Sequence, residues 1–437
     1  MARDKIIVGI DVGSSKIATL IGSLTGDDKI NIVGVANTEA RGMRKGQVID
    51  IEEASACITQ SVEAAERMAG YTVGTAFISV GGAHIISQNS RGVVAVSEPE
   101  GEINQSDVER VMEASRAISL PTAREIIHAI PRGFIVDSQE GIKDPIGMNG
   151  VRLEVDTHIV SGGTTAIRNL AKCIGEIGVE IDGLVFGGLA SSESVLTDTE
   201  KELGVALVDL GGGTTDICIF VDGALSYSAV LPVGAKNITN DLAIGLRVSL
   251  ESAEKIKIAL GQKQKSVIFP KEEIKDIKNN NSHQGVKEKV DEINLTDLGL
   301  PEGLKSVSKK TLIDGIIKPR LLEIFTLVGI ELQKSGFGGA TPAGIVVTGG
   351  GAETIGIVEA AKQRLALPVR LGFPEGMTGL IDEIQGPSFA TAVGLLTYGS
   401  KNLSVKEGRK EGMGKIFKSP IKGASGKIIN LLKSFLP

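Results

Sequence analysis

The stretch GIDVGSSK, residues 9–16, has a second version in VDLGGGTTD, residues 208–216, about 200 residues further along. Each copy ends an apolar run on an aspartate, continues through small residues and enters another apolar run. A strand–turn–strand unit used twice predicts two related α/β lobes whose turns face each other across a cleft. A third element, VVTGGGAE at 346–353, runs a predicted strand into three glycines and then a predicted helix.

Turns built from Gly and Ser leave successive backbone N–H groups free to converge on an anion. Gly13, Ser14 and Ser15 form one candidate cradle, and Gly211, Gly212 and Gly213 the other. The hydroxyls of Ser14, Thr214 and Thr215 add donors, and Lys16 offers a point charge for a phosphate. Asp11 and Asp209, one before each turn, are hard oxygen acceptors suited to Mg²⁺ held through water beside a polyphosphate. Gly349, Gly350, Gly351 and Ala352 let backbone approach a ribose or a flat base closely. A Gly-rich hairpin alone is usually just a hairpin. The order of the three elements is what points to nucleotide binding. The sequence lacks G-x-x-x-x-G-K-[ST], and it lacks G-x-G-x-x-G between a strand and a helix, which disfavours P-loop and Rossmann sites.

The chain has 437 residues, 42% hydrophobic and 23% charged, which is room for two or more domains of globular composition. A net charge of −6 does not suggest a general nucleic-acid surface. Cys57, Cys173 and Cys218 are far apart and odd in number, so neither a disulfide framework nor a metal spacing is expected. The N-terminal residues enter a strand at once, so no signal peptide is expected, and no run reaches the ~20 apolar residues of a spanning helix.

The remaining pattern predicts helices over 52–69, 164–178, 236–260, 311–334 and 387–399, and a further helix capped by Ser106 with Glu109 three residues on. Residues 262–309 are polar and read as a poorly packed surface excursion. After Gly399 a polar linker is expected.

The motif order resembles that of the actin, Hsp70 and sugar-kinase superfamily. Within it, HAIPRGFIVDSQEGIKDPIGMNGVRLEVDTHIVSG, residues 128–162, closely resembles the extra subdomain of the FtsA family of bacterial cell-division proteins. AEKIKIALG at 253–261 is similar to that family's adenosine-side helix, which would place Glu254 and Lys257 at the ribose and base. The resemblance covers about residues 5–400 and implies an actin-like two-lobed fold of duplicated RNase H-like domains with an FtsA-type extra subdomain and a C-terminal amphipathic helix. The first lobe's core would comprise 1–83, 163–197 and 388–400, with the extra subdomain at 84–162. The second lobe's core would comprise 198–229 and 310–387, and its outer subdomain 230–309. A linker over 401–424 and a membrane helix over 425–437 would complete the chain.

The same resemblance implies a cytoplasmic ATP- and Mg²⁺-binding protein that forms filaments with itself on the inner membrane face. It would tether FtsZ through that protein's C-terminal tail, with Lys305 and Lys309 where the family carries basic residues for the peptide, and would meet other division proteins through 84–162. Two departures stand out. Gly187 and Gly188 lie where superfamily members often carry Glu-Pro, so slow hydrolysis is expected for want of a water-positioning group. The 262–300 segment is long and could alter or shield the partner face.

The tail itself supports membrane contact. Residues 401–437 carry nine Lys/Arg and two Asp/Glu, leaving a body at −13. At about 100° per residue, Ile428, Ile429, Leu431, Leu432, Phe435 and Leu436 fall within an arc of about 160°, opposite Lys427, Asn430, Lys433 and Ser434. Such a helix enters the acyl boundary with its apolar face while its lysines favour anionic lipid. A type IV pilus-assembly scaffold and a small-molecule kinase of the same superfamily are the alternatives. The tail argues against both, and a kinase would also need a catalytic aspartate in the first lobe that the sequence does not offer. A chaperone would need a large C-terminal domain.

Overall fold

The computed structural model describes residues 5–24, 29–97, 101–268 and 291–408, with backbone alone for 262–268 and 403–408. Residues 1–400 form one compact unit.

The first lobe opens with β1 (Lys5–Val12), β2 (Lys16–Leu24) and β3 (Ile30–Glu39), an antiparallel meander. Helix α1 (Ile51–Ala69) follows; Asp50 caps it by accepting from the Glu53 N–H, and Gly70 ends it at φ 63°. Its face of Ala54, Cys57, Ile58, Val62 and Ala65 is buried, and Gly34 admits the Ala65 carbonyl to the sheet, since a Cβ there would stand 2.7 Å from it. Strand β4 (Thr75–Val80) then pairs parallel with β1.

Between β4 and the lobe's next strand lies an inserted domain of β5 (Ile86–Ala95), α2 (Gln105–Arg116), β6 (Arg124–Val136), β7 (Gln139–Ile142) and β8 (Arg152–Gly163), in sheet order β5-β8-β6-β7. It has its own core, in which Ile103, Val111, Phe134, Leu153 and Val155 pack together. The cap of α2 is Asn104 rather than Ser106, and its partner is Asp107 rather than Glu109. The Asn104 side-chain Oδ1 accepts from the backbone N–H groups of Ser106 and Asp107, and the Asp107 carboxylate accepts from the Asn104 N–H. The chain returns through α3 (Thr164–Glu176) to β9 (Glu180–Phe186), which pairs with β4, and α4 (Gly187–Val195) closes the segment.

The second lobe repeats the first. Strands β10 (Val205–Leu210), β11 (Thr215–Val221) and β12 (Ala224–Leu231) form the meander, followed by α5 (Ala235–Leu246) and α6 (Leu250–Ile268). The expected single helix over 236–260 is therefore two, broken where Arg247 adopts φ 56°. Helix α7 (Lys318–Lys334) is preceded by a helical turn at Lys309–Leu312 and a π-helical turn at Ile313–Ile317. Strand β13 (Ile345–Thr348), α8 (Ile357–Leu365), β14 (Val369–Leu371) and β15 (Met377–Gly379) lead to α9 (Ala390–Gly408). Helix α9 continues past Gly399, where the pattern was expected to break.

The two sheets run β9-β4-β1-β2-β3-β15 and β12-β11-β10-β13-β14. In each, the first three strands are antiparallel and the first pairs parallel with a strand that leads to another parallel neighbour. Both central strands carry an aspartate one residue from their end, Asp11 and Asp209, so the duplication seen in the sequence is a duplication of topology.

The inserted domain also touches the second lobe. Its edge strand β5 lies beside β12, joined by side chains instead of a ladder: Ser87 Oγ donates to the Ser228 carbonyl at 2.6 Å and Asn89 Nδ2 to that of Ser226 at 3.2 Å. His158 lies between Asn89 Oδ1 at 2.7 Å and Ser228 Oγ at 2.9 Å, and burial lowers its imidazole to about 3, so it stays neutral. These contacts cover the open edge of the second sheet.

Candidate functional site

Both aspartate turns open onto a cavity of about 750 Å³. The first turn is closed by Gly13 N–H donating to Lys16 O at 3.0 Å, the second by Gly211 N–H donating to Thr214 O at 2.9 Å. Asp11, Gly13, Ser14, Ser15 and Lys16 line the cavity on one side, and Asp209, Gly211, Gly212, Gly213 and Thr214 on the other. Gly349, Gly350 and Gly351 close the third side. At Gly349, φ is 85° and a Cβ would stand 2.6 Å from the Leu210 carbonyl oxygen, so the strand end reaches the second turn only as glycine.

Three expectations shift. Thr215 is fully buried and its hydroxyl donates to the Val233 carbonyl at 2.8 Å, away from the cavity. Ala352 is buried behind the glycines and does not line the cavity. The GGG segment opens a 3₁₀ turn at Gly350–Glu353, and the helix begins only at Ile357.

Glu254 and Lys257 do line the cavity, but they also hold each other, with Nζ 2.8 Å from Oε2. The Lys257 amine donates to Thr239 Oγ1 at 2.9 Å, so this pair shapes the wall as much as it offers contacts. Lys305 and Lys309 are exposed and outside the cavity. Ile428, Ile429, Leu431, Leu432, Phe435 and Leu436 lie outside the described residues, as does most of the expected linker.

The carboxylates at the cavity floor are poorly solvated. Burial raises the Asp209 carboxyl to about 6; hydrogen bonds from Ser191 and Thr391 oppose the rise and repulsion from Asp11 adds to it. Burial raises Asp11 as well, against a 2.7 Å hydrogen bond from Ser79 Oγ. Asp216, paired with Asp209 across β10 and β11, is pushed well above the ordinary carboxylate range by burial and then by Asp209 and Asp11. Its Oδ1 finds no hydrogen-bond partner among the described residues.

Lys16 is the complement. Its amine is buried without a hydrogen-bond partner among the described residues, 3.6 Å from the centroid of the Phe389 ring, and burial lowers it to about 8. Three crowded carboxyls and an unsatisfied ammonium, flanked by two N–H turns, fit a cation and an anion arriving together. Asp11, Asp209 and Asp216 do not make a metal cage of their own, so a cation there needs oxygens from its anion and from water.

Sequence reasoning missed Ser79, Ser191, Thr391, Asp216 and Lys236. Asp216 carried a signal, as the acidic residue closing VDLGGGTTD. The others come from strands and helices remote in sequence and carried none.

Comparison with known proteins bears on identity. A family model described as the SHS2 domain inserted in FtsA matches residues 82–161, and one described as cell division protein FtsA matches 206–394. The chain is 39% identical over 400 residues to the cell division protein FtsA of Pseudomonas aeruginosa, covering 92% of this chain and 90% of that protein. The chain belongs to the FtsA family. The FtsA of Escherichia coli is 35% identical over 405 residues, covering 91% of each chain. Among solved structures, a PilM–PilN type IV pilus biogenesis complex matches with TM-score 0.61 at 15% identity, covering 90% of this chain and 98% of that one. MreB5 of Spiroplasma citri bound to AMPPNP matches with TM-score 0.50 at 13% identity, covering 94% and 99%. At such identities these two speak for the actin-like fold alone. The inserted domain of this FtsA-family chain is thus the SHS2 insert, and its two sheets are the actin-like lobes.

Proposed function

We propose that this FtsA-family protein binds Mg²⁺·ATP in the cleft, polymerises with itself on the cytoplasmic face of the cell membrane, and tethers FtsZ there. The observation that carries the nucleotide reading is the pairing of an unsatisfied buried ammonium at Lys16 with three desolvated carboxyls between two anion-binding turns. Asp11 and Asp209 would hold Mg²⁺ through water, and Gly13, Ser14, Ser15 and Gly211–Thr214 would receive the phosphates. Bound there, Mg²⁺ neutralises phosphate charge. The adenosine would lie between Gly349–Gly351 and the Glu254–Lys257 pair.

Hydrolysis is expected to be slow. A Cβ at Gly187 would stand 2.8 Å from Asp216 Oδ2, so the Asp216 carboxyl fills the space of the missing side chain. Burial and the neighbouring Asp209 and Asp11 carboxyls disfavour the ionised form of Asp216.

The Asp209 value also sets a pH dependence. Below about pH 6 the nucleotide-free chain carries a proton on Asp209 that must leave before the cation binds. Lowering pH from 7 to 5 is expected to weaken Mg²⁺·nucleotide binding by about tenfold. An Asp209→Asn chain would bind more weakly at every pH and lose most of that slope. An equal slope in both would count against the assignment.

Among the described residues no helix is long and apolar enough to cross a membrane. Attachment is assigned to the amphipathic segment at 425–437, and FtsZ's tail to the surface near exposed Lys305 and Lys309. Other division proteins would meet the SHS2 insert. One helix binds lipid weakly, and a filament presents many at high effective concentration. In co-sedimentation with anionic liposomes, the full chain with Mg²⁺·ATP is expected to pellet about tenfold more than a chain ending at Gly412. Omitting nucleotide should also reduce pelleting. Equal pelleting of both chains would remove the tail from the account.

A further inference from the structure

The cleft contains a second lysine with a different placement from Lys16. Helix α5 begins directly behind the second turn. The N–H groups of Ala235 and Lys236 donate to the carbonyls of Gly211 and Gly212, both at 2.9 Å. Gly234 allows this approach, because a Cβ there would stand 2.6 Å from the Gly212 carbonyl oxygen. The first turn of α5 is thereby fixed to the phosphate turn, with the positive end of its dipole behind it.

A cation is unfavourable at that end of a helix. Lys236 is nevertheless there, exposed, and lines the cavity. Its ammonium crosses from the second lobe to the first and donates to the Ser14 carbonyl at 2.7 Å. Among the described residues it makes no ion pair with a carboxylate. Ser14 belongs to the opposing turn, and its own hydroxyl accepts from the Gly46 N–H at 2.8 Å. The Lys236 side chain therefore spans the gap between the two anion-binding turns, and its acceptor there is a neutral carbonyl.

One turn further along α5, Thr239 meets Glu254 and Lys257. The helix thus runs from the phosphate turns to the wall assigned to the adenosine, and Lys236 marks its phosphate end. Lys16 lies elsewhere, buried near Asp11, Glu353 and Asp209, beneath the Phe389 ring.

We propose that Lys236 reads the terminal phosphate of a nucleoside triphosphate, exchanging the Ser14 carbonyl for a phosphate oxygen and so favouring triphosphate over diphosphate. The inference rests on the nucleotide reading given above. A hydrogen bond from an ammonium to an anionic oxygen is stronger than one to a neutral carbonyl, so the exchange favours the bound state. A diphosphate that ends short of the gap leaves Lys236 on Ser14 and gains nothing from it.

The test measures displacement of a fluorescent ATP analogue from the full chain by unlabelled ATP and by ADP, with Mg²⁺ present. For Lys236→Ala, ATP affinity is expected to fall about tenfold and ADP affinity less than about threefold. Lys236→Arg should recover most of the ATP affinity, because charge and donors are kept. Thermal unfolding without nucleotide should shift little in either variant, since Lys236 is exposed and gives up at most the one hydrogen bond to Ser14. Equal losses for ATP and ADP, or unaltered ATP affinity, would overturn the inference while leaving nucleotide binding intact. Failure of the unmodified chain to bind either nucleotide would overturn the nucleotide reading and this inference with it.

Discussion

Replacing Gly212 with alanine is expected to weaken nucleotide binding by about a hundredfold or more while leaving the apo chain folded. The two turns meet at this residue. A Cβ on Gly212 would overlap Ser15 Oγ and stand 2.9 Å from Ser15 Cβ. Rotating the Ser15 hydroxyl relieves the first clash but not the second, because a Cβ position is fixed by the backbone. The turns must then separate by about 1 Å, and a misplacement of that size commonly costs about a hundredfold where groups must converge on one ligand. The neighbouring contacts give little slack. Gly213 faces Ser14, and a Cβ there would be 2.9 Å from Ser14 Cβ and 3.2 Å from the Lys45 N–H nitrogen. The outer cores do not depend on this gap: that of the second lobe is built around Phe325, Leu321, Ile256 and Ile219, away from the turns. Equilibrium binding of a fluorescent ATP analogue measures the loss, and circular dichroism checks the fold. The reciprocal change is the stronger control. Ser15→Gly in the same chain removes the clashing Cβ and should recover most of the affinity. Unchanged binding by Gly212→Ala alone would mean that the turns do not close as described.

What could be read from the sequence and what could not divide along a physical line. The aspartate turns, the glycine strand end and the SHS2 insert are local: their residues are neighbours in the chain, and their chemistry does not depend on remote partners. Thr215 was misassigned for the same reason. It adjoins a phosphate turn in sequence, but strand β11 begins with it, and alternation along a strand turns its hydroxyl inward to Val233. Asn104 displaced Ser106 as the cap because an Asn side chain reaches two N–H groups there. Ser191 and Thr391 bond Asp209 from helices α4 and α9, which are 200 residues apart in sequence, and no spacing could have announced them. Lys236 was invisible as a site residue because its role follows from where α5 docks. The neutral His158 seam between insert and second lobe was equally silent, since it exists only once two edge strands lie side by side.

The crossing of α4 and α9 gives the largest expected loss of stability. Gly394 on α9 rests on Ala190 of α4 so closely that a Cβ would overlap the Ala190 carbonyl and stand 3.2 Å from its Cα. Backing α9 away is blocked on its other side. Gly9 of β1 faces Leu395, where a Cβ would be 2.9 Å from Leu395 Cβ, and Gly399 approaches Ile7 and Phe77 within 2.8 Å in the same sense. The helix is wedged between a strand and a helix by Gly9 of the strand and by Gly394 and Gly399 of its own. Gly394→Ala forces backbone to move, and overpacking of this kind is expected to cost about 3 kcal/mol or more. Without the clash, Gly→Ala inside a helix would be stabilising by about 1 kcal/mol. Gly175→Ala in α3 shows that baseline, because a Cβ at Gly175 meets nothing within 4 Å. The loss should reach the cleft as well. Ser191 lies on α4 one residue past Ala190, and Thr391 lies on α9 one turn before Gly394, so a shift between the helices separates the two hydroxyls that bond Asp209. Denaturant unfolding of both variants reads the stability difference, and Mg²⁺·nucleotide binding under native conditions reads the displacement of Asp209. If Gly394→Ala unfolds at the same midpoint as Gly175→Ala, the helices have room that this packing does not allow. A stability loss with undiminished binding would separate the crossing from the site.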